Sequence, residues 1–235
     1  MFQVQRKSQP TVFFLALIAA AVLLESAAPV MAAYVTPRIG GAQRKHDVAP
    51  MIMPEITIVG SDVVVLDEAG NAWATLTGAN RPVMWPLVGT DAFDPASAWY
   101  SALNGMAYNW QYGWDSAAFN PALLPAGGKI WLEVLTQSDG LKTYDRNAGY
   151  APIFGTDGAS NKWKWSETMA HNAYTVEPGI GEWSATYLIY IGDEITGEAM
   201  AGFGSATVML TWTSVPEPAT LGLMMAGVIY LRRKN

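Results

Sequence analysis

Between residues 56 and 213, apolar side chains recur with a period of two, in runs too short to make anything but strands. Val208, Leu210 and Trp212 fall on one face, opposite Thr207, Thr211 and Thr213; Trp163 and Trp165 share a face opposite Lys162 and Lys164. Successive side chains of a strand point to opposite sides of its sheet, so each run reads as a half-buried strand. Ile56 to Val59 and Asp62 to Leu66 come first, with Asp67-Glu68-Ala69-Gly70-Asn71 as a hairpin turn into Ala72 to Thr77. Later strands are expected at 106–112, 129–136, 141–145, 162–166, 173–176, 183–191, 198–201 and 205–213. Asp139-Gly140 supplies a turn. One helix is expected, capped by Asp94, opened by Pro95 and closed by Gly105. About nine or ten strands with little helix and no repeat predict an all-β fold, an antiparallel β-sandwich of jelly-roll-like type.

The two ends break this pattern. Arg6 and Lys7 precede an apolar run from Val12 to Leu24, followed by Pro29 and the small-residue stretch Val30-Met31-Ala32-Ala33. That order is the n-region, h-region and cleavage site of a secretory signal peptide. Val30 and Ala32 fit the −3 and −1 positions, which places cleavage after Ala32, with Ala33 as the neighbouring choice. At ~1.5 Å per residue the run is too short to span a ~30 Å hydrocarbon core. An uncleaved N-terminal anchor is the other reading of this segment, and either one exports the chain. The expected organisation is then a signal peptide at 1–32, a flexible leader at 33–55 without apolar periodicity, a sandwich at 56–213 and a distinct tail at 214–235.

In the tail, Val215-Pro216-Glu217-Pro218-Ala219-Thr220 leads into an apolar stretch from Leu221 to Leu231, stopped by Arg232-Arg233-Lys234. The prolines cannot donate to a strand ladder and end whatever precedes them. The basic cluster stays in the cytoplasm by the positive-inside rule. An apolar helix of roughly 20 Å is shorter than a stable span, and suits a transient stop in the membrane better than a permanent anchor. These residues resemble the PEP-CTERM sorting signal of bacteria, with Pro216, Glu217 and Pro218 as the tripeptide and Arg232, Arg233 and Lys234 as the terminal cluster. The resemblance implies recognition by an exosortase, a membrane-embedded sorting protease with a cysteine nucleophile. It also implies association with exopolysaccharide or biofilm matrix. An ordinary C-terminal membrane anchor is the alternative for the same residues.

Composition narrows the chemistry. With no Cys, the chain has no disulfide scaffold, thiolate metal site or cysteine nucleophile. Residues 33–215 keep nine of the fourteen basic residues and eighteen of the twenty acidic ones, a net charge near −9 against −6 for the whole chain. That balance excludes sequence-independent nucleic-acid binding, which needs Lys and Arg to displace phosphate counterions.

Trp99, Tyr100, Tyr108, Trp110, Tyr112 and Trp114 crowd around Asn104, Asn109, Gln111 and Asp115. A pyranose stacks its C–H face on such rings while amides and carboxylates bind its hydroxyls. Trp99, Tyr108, Trp110, Tyr112 and Trp114 are therefore candidates for a glycan platform, with core packing as the competing reading. Asp91, Asp94, Asp139, Asp145, Asp157-Gly158, Asn161 and Asp193-Glu194 sit in loops that could hold a structural Ca²⁺, although turn chemistry explains them equally well. His46 and His171 have no metal-ligand spacing. Lys162 and Lys164 read as a solvated strand face. The sequence reads as an exported surface or matrix protein, non-enzymatic, with glycan binding as its candidate activity. The alternative is a secreted glycoside hydrolase or polysaccharide lyase working through an Asp/Glu pair drawn from Glu133, Glu167, Glu177 and Glu182.

Overall fold

The computed structural model describes residues 34–41, 49–89 and 91–215. Among the described residues, eleven strands make up the fold: β1 (Glu55–Val59), β2 (Asp62–Leu66), β3 (Val83–Met84), β4 (Ala107–Asn109), β5 (Gly128–Gln137), β6 (Lys142–Asp145), β7 (Ala151–Ile153), β8 (Lys162–Lys164), β9 (Ala173–Val176), β10 (Gly181–Asp193) and β11 (Ala206–Ser214). They form a β1-β2 hairpin, a five-stranded sheet β3-β11-β10-β5-β8 and a four-stranded sheet β4-β9-β6-β7. The chain changes sheet between β3 and β4, β4 and β5, β5 and β6, β7 and β8, β8 and β9, and β9 and β10. Alternation of this kind wraps a jelly roll. The pairings between these strands are antiparallel except β11 with β3, which closes one edge in parallel.

The two larger sheets bury their facing sides in one core. Ile130, Leu132, Tyr187, Ile189, Val208, Leu210 and Trp212 come from the five-stranded sheet, and Ala107, Ile153, Tyr174 and Val176 from the other. Tyr174 packs on Trp212 with ring centroids 4.5 Å apart, and Phe154 on Tyr187 at 4.7 Å. The period of two is what places these rings inward while Thr207, Thr211 and Thr213 face out. Among the described residues, no helix is long and apolar enough to cross a membrane.

Several expectations need correction. The hairpin is β1-β2, turning at Gly60-Ser61, where Gly60 takes φ +65°. Residues 72–77 make only an isolated bridge, Leu66 to Ala72. They run instead along β11, where Thr211 Oγ1 donates to Leu76 O at 2.6 Å. Covering the open edge of a strand with an irregular segment hides its unpaired backbone groups. Residues 198–201 form a turn bridged once, Gly192 to Ala199, rather than a strand. The helix shrinks to α1 (Tyr100–Leu103), although Gly105 ends it at φ +77°. Asp94 does cap a turn, accepting from Ala96 N at 2.9 Å. Ser97 then donates both its N–H and its hydroxyl to Asp94 O, occupying the acceptor a continuing helix would need. β3 and β7 escape a pattern search because two and three residues show no period.

The expected flexible leader at 33–55 is woven into the fold wherever it is described. Val35 N donates to Ala92 O, Trp110 N donates to Ile39 O, and Ile52 bridges Tyr112. Gly41, at φ +105°, lies so close to Trp85 and Tyr108 that a Cβ would come within 2.7 Å of Tyr108 O. Backbone hydrogen bonds do not require apolar periodicity, so no period marked this segment. The signal-peptide residues Val30, Ala32 and Ala33 lie outside the described residues, as do the tail residues Pro216, Glu217, Pro218, Arg232, Arg233 and Lys234.

Candidate functional site

The aromatic segment packs inward. Tyr108, Trp110, Tyr112 and Trp114 are buried, and Trp99 is partly buried against the smaller of two core clusters. Tyr112 donates to Thr211 O at 3.1 Å, and burial pushes its phenol up to about 12. Trp114 meets Tyr187 edge-on at 5.5 Å. Trp110, 6% exposed, carries the Arg146 guanidinium over its ring at 3.8 Å. The intervening amides are buried as well: Asn109 donates to Val83 O and Gln111 Oε1, and Gln111 donates to Pro50 O. Residues 107–114 are buried on both faces, so Tyr108, Trp110, Tyr112 and Trp114 serve packing.

Three of the carboxylates read as a catalytic set have polar partners of their own. Asn161 Nδ2 donates to Glu133, Lys129 pairs with Glu167 at 3.1 Å, and Arg81 pairs with Glu182 at 2.7 Å. Glu133 sits opposite Leu188 on β10, six residues from Glu182, or ~20 Å along the strand. Glu177 is exposed beyond β9. The loop acids bind their own turns. Asp145 accepts from Asn147 N, Ala148 N and Trp163 Nε1, and Asp193 accepts from Ile195 N and Thr196 N. Asp157 takes Lys142 at 2.8 Å and Tyr144 at 3.2 Å, and the Lys142 hydrogen bond holds its carboxyl below the usual range. Among the described residues no three His, Asp or Glu gather to hold a metal ion. His171 donates through Nδ1 to Trp110 O at 2.9 Å and lies against Gly113, where a Cβ would meet the imidazole at 2.5 Å. His46 lies outside the described residues.

Lys162 and Lys164 lie on the solvated face, Lys164 exposed and Lys162 partly so, and both also bind the neighbouring turn. Lys162 binds Glu198 at 3.1 Å and Gly197 O at 3.3 Å, and Lys164 binds Glu194 O at 3.3 Å. Both hold the 193–200 turn over the outer face of β5, where Trp131 Nε1 donates to Asp193 O. A cavity of about 270 Å³ beneath this turn, lined by Glu133, Lys162, Tyr190 and Phe203, is part of that fastening.

The larger opening lies on the opposite flank, where residues 50–53 face the 67–80 segment. This cleft of about 510 Å³ has Met51, Ile52, Trp73 and Leu76 on its apolar side and Asp67, Glu68 and Asn80 as polar groups; among the described residues no Lys, Arg or His lines it. Trp73 is partly buried, set edge-on to Tyr112 at 6.2 Å, with Nε1 directed to Met209 O at 3.5 Å. The sandwich core thus supports the ring from behind. Asp67 is fixed by its own turn, accepting from Asn71 N at 2.8 Å and Ala69 N at 2.9 Å. Hydrogen bonds from Asn71 hold its carboxyl below the usual range. Nearby Glu55 is raised by burial and then by the charges of Asp115, Glu68 and Asp67. An indole beside fixed carboxylates and an amide can stack on an apolar face while binding hydroxyl or ammonium donors. The sequence pattern assigned Asp67 to a hairpin turn and Trp73 to a strand. The available signal was a Trp two residues after that turn, with Met51-Ile52-Met53 upstream.

The family model for the PEP-CTERM protein-sorting motif matches residues 214–234. No curated protein and no solved structure matches the chain. The chain is an exported protein sorted to the cell surface by a C-terminal signal that exosortase-type machinery processes.

Proposed function

We propose that the sorted domain is a non-catalytic glycan-binding module that associates with extracellular polysaccharide through the Trp73 cleft. The observation that carries this reading is the cleft itself: an indole backed by the core, flanked by Met51 and Ile52 and rimmed by Asp67, Glu68 and Asn80. Burial of a sugar's apolar face on Trp73 supplies affinity, and the rim groups fix its orientation. With acids as the only charged groups among the described residues at the rim, neutral sugars and amino sugars are favoured over uronic-acid polymers, whose carboxylates would be repelled.

The test is binding of the purified mature protein to neutral, amino-sugar and uronic-acid polysaccharides. Trp73→Ala is expected to weaken binding at least tenfold, about 1.4 kcal/mol, while the rest of the fold persists. If Trp73→Ala binds as well as the parent, the cleft is not the site. Glu55, raised beside Asp115, is the feature that favours hydrolysis instead. Release of reducing ends by the parent and not by Glu55→Gln would establish that second reading.

A further inference from the structure

The sorting motif begins inside the fold. Its first matched residue, Ser214, is 4% exposed and pairs with Gly181 on β10 and Met84 on β3. The Ser214 hydroxyl donates to Gly179 O at 2.7 Å and accepts from Trp183 Nε1 at 2.9 Å. The Trp183 indole covers Gly181 so closely that a Cβ there would lie 2.9 Å from the ring. The ladder and this clamp therefore hold the chain to its last strand residue, and Pro216 follows two positions later. At no more than ~3.6 Å per residue, Glu217 lies within ~11 Å of Ser214. A protease that reads Pro216-Glu217-Pro218 must meet the end of the sandwich while it does so.

That end is built from the loop around Gly179, Ile180 and Gly181 and from the Arg81–Glu182 pair. Ile180, between the two glycines that touch Ser214, is 79% exposed. Among the described residues Glu177, Glu182 and Asp139 are also exposed here, with Arg81 paired to Glu182 and Lys142 paired to Asp157. This balance disfavours an anionic lipid surface. We propose that the end of the sandwich around Ser214 is a docking face for the extracytoplasmic surface of the exosortase-type sorting protease, with Ile180 as its apolar contact. The proposal is independent of glycan binding and rests on the short junction between fold and tripeptide.

The experiment follows the fraction of tail removed, by intact mass, for the full precursor in cells that carry the sorting protease. It compares the parent, Ile180→Lys, a six-residue Gly-Ser spacer between Val215 and Pro216, and both changes together. Ile180→Lys is expected to slow processing several-fold with unchanged thermal stability, since the side chain is exposed. In the spacer background the same substitution should have no effect, because the domain no longer meets the protease. Loss of processing on the spacer alone also supports the proposal, since the tripeptide is intact and only its distance has changed. Unchanged processing of Ile180→Lys overturns it, as does any further slowing that Ile180→Lys adds to the spacer variant. Release of the Ile180→Lys precursor from membranes in cells lacking the protease overturns it too, by showing that the face contacts lipid.

Discussion

Ser214→Ala tests whether the domain is fastened up to its last strand residue. The substitution deletes the hydroxyl that joins Trp183 Nε1 at 2.9 Å to Gly179 O at 2.7 Å, and leaves both partners unpaired. Each such bond nets about 0.5–1.5 kcal/mol, and water can reach partly exposed Trp183, so the expected cost is about 1–2 kcal/mol. For a domain of this size, 1 kcal/mol moves Tm by about 2–4 °C, which gives a drop of roughly 2–8 °C. Trp183→Phe keeps the ring over Gly181 but removes the donor, at a cost of about 0.5–1.5 kcal/mol. Because the two changes delete one shared bond, the double variant should cost less than the sum, by about 0.5–1.5 kcal/mol. Thermal and urea unfolding of the four proteins, followed by far-ultraviolet circular dichroism, measures the cycle. If Ser214→Ala shifts Tm by less than 1 °C, or if the two changes add within ~0.3 kcal/mol, Ser214 is not clamped as argued.

Two further predictions concern the same core. Burial first, and then the charge of Arg146, lower the His171 pKa, while its Nδ1–H donates to Trp110 O. His171 is thus neutral in the fold. Its contribution is complete above the unfolded value of about 6.5 and is lost as pH falls through the folded value. The parent should lose Tm between pH 7 and pH 5 while His171→Gln changes less; equal losses in the two proteins would refute the assignment. Arg146→Gln removes a cation 3.8 Å above the Trp110 ring and should cost about 0.5–2 kcal/mol in urea unfolding; a change under 0.3 kcal/mol would show that the stacking contributes nothing.

The long strands were legible because a period of two needs several residues to declare itself. β5, β10 and β11 have ten, thirteen and nine residues, and each lies near its expected place. β3 and β7 are too short to show a period, and 72–77 has the pattern of a strand but follows an edge through side-chain bonds. The aromatic run was legible as a residue type and not as a role. Trp110 and Trp73 are both tryptophans close to Asn or Asp, and nothing local distinguishes the buried ring from the one at the cleft.

The address of this protein was written in its sequence alone. A sorting signal is read as linear chain by membrane and protease, so Pro216-Glu217-Pro218 and its basic terminus carry their meaning without a fold. The interaction surfaces were decided by tertiary structure. Burial depends on what the other sheet brings against a side chain, and that sheet is assembled from residues 107–176 while Trp212 waits on β11. Only that packing turned Tyr108, Trp110, Tyr112 and Trp114 inward, left Trp73 at a cleft, and drew the first residue of the sorting motif into the last strand.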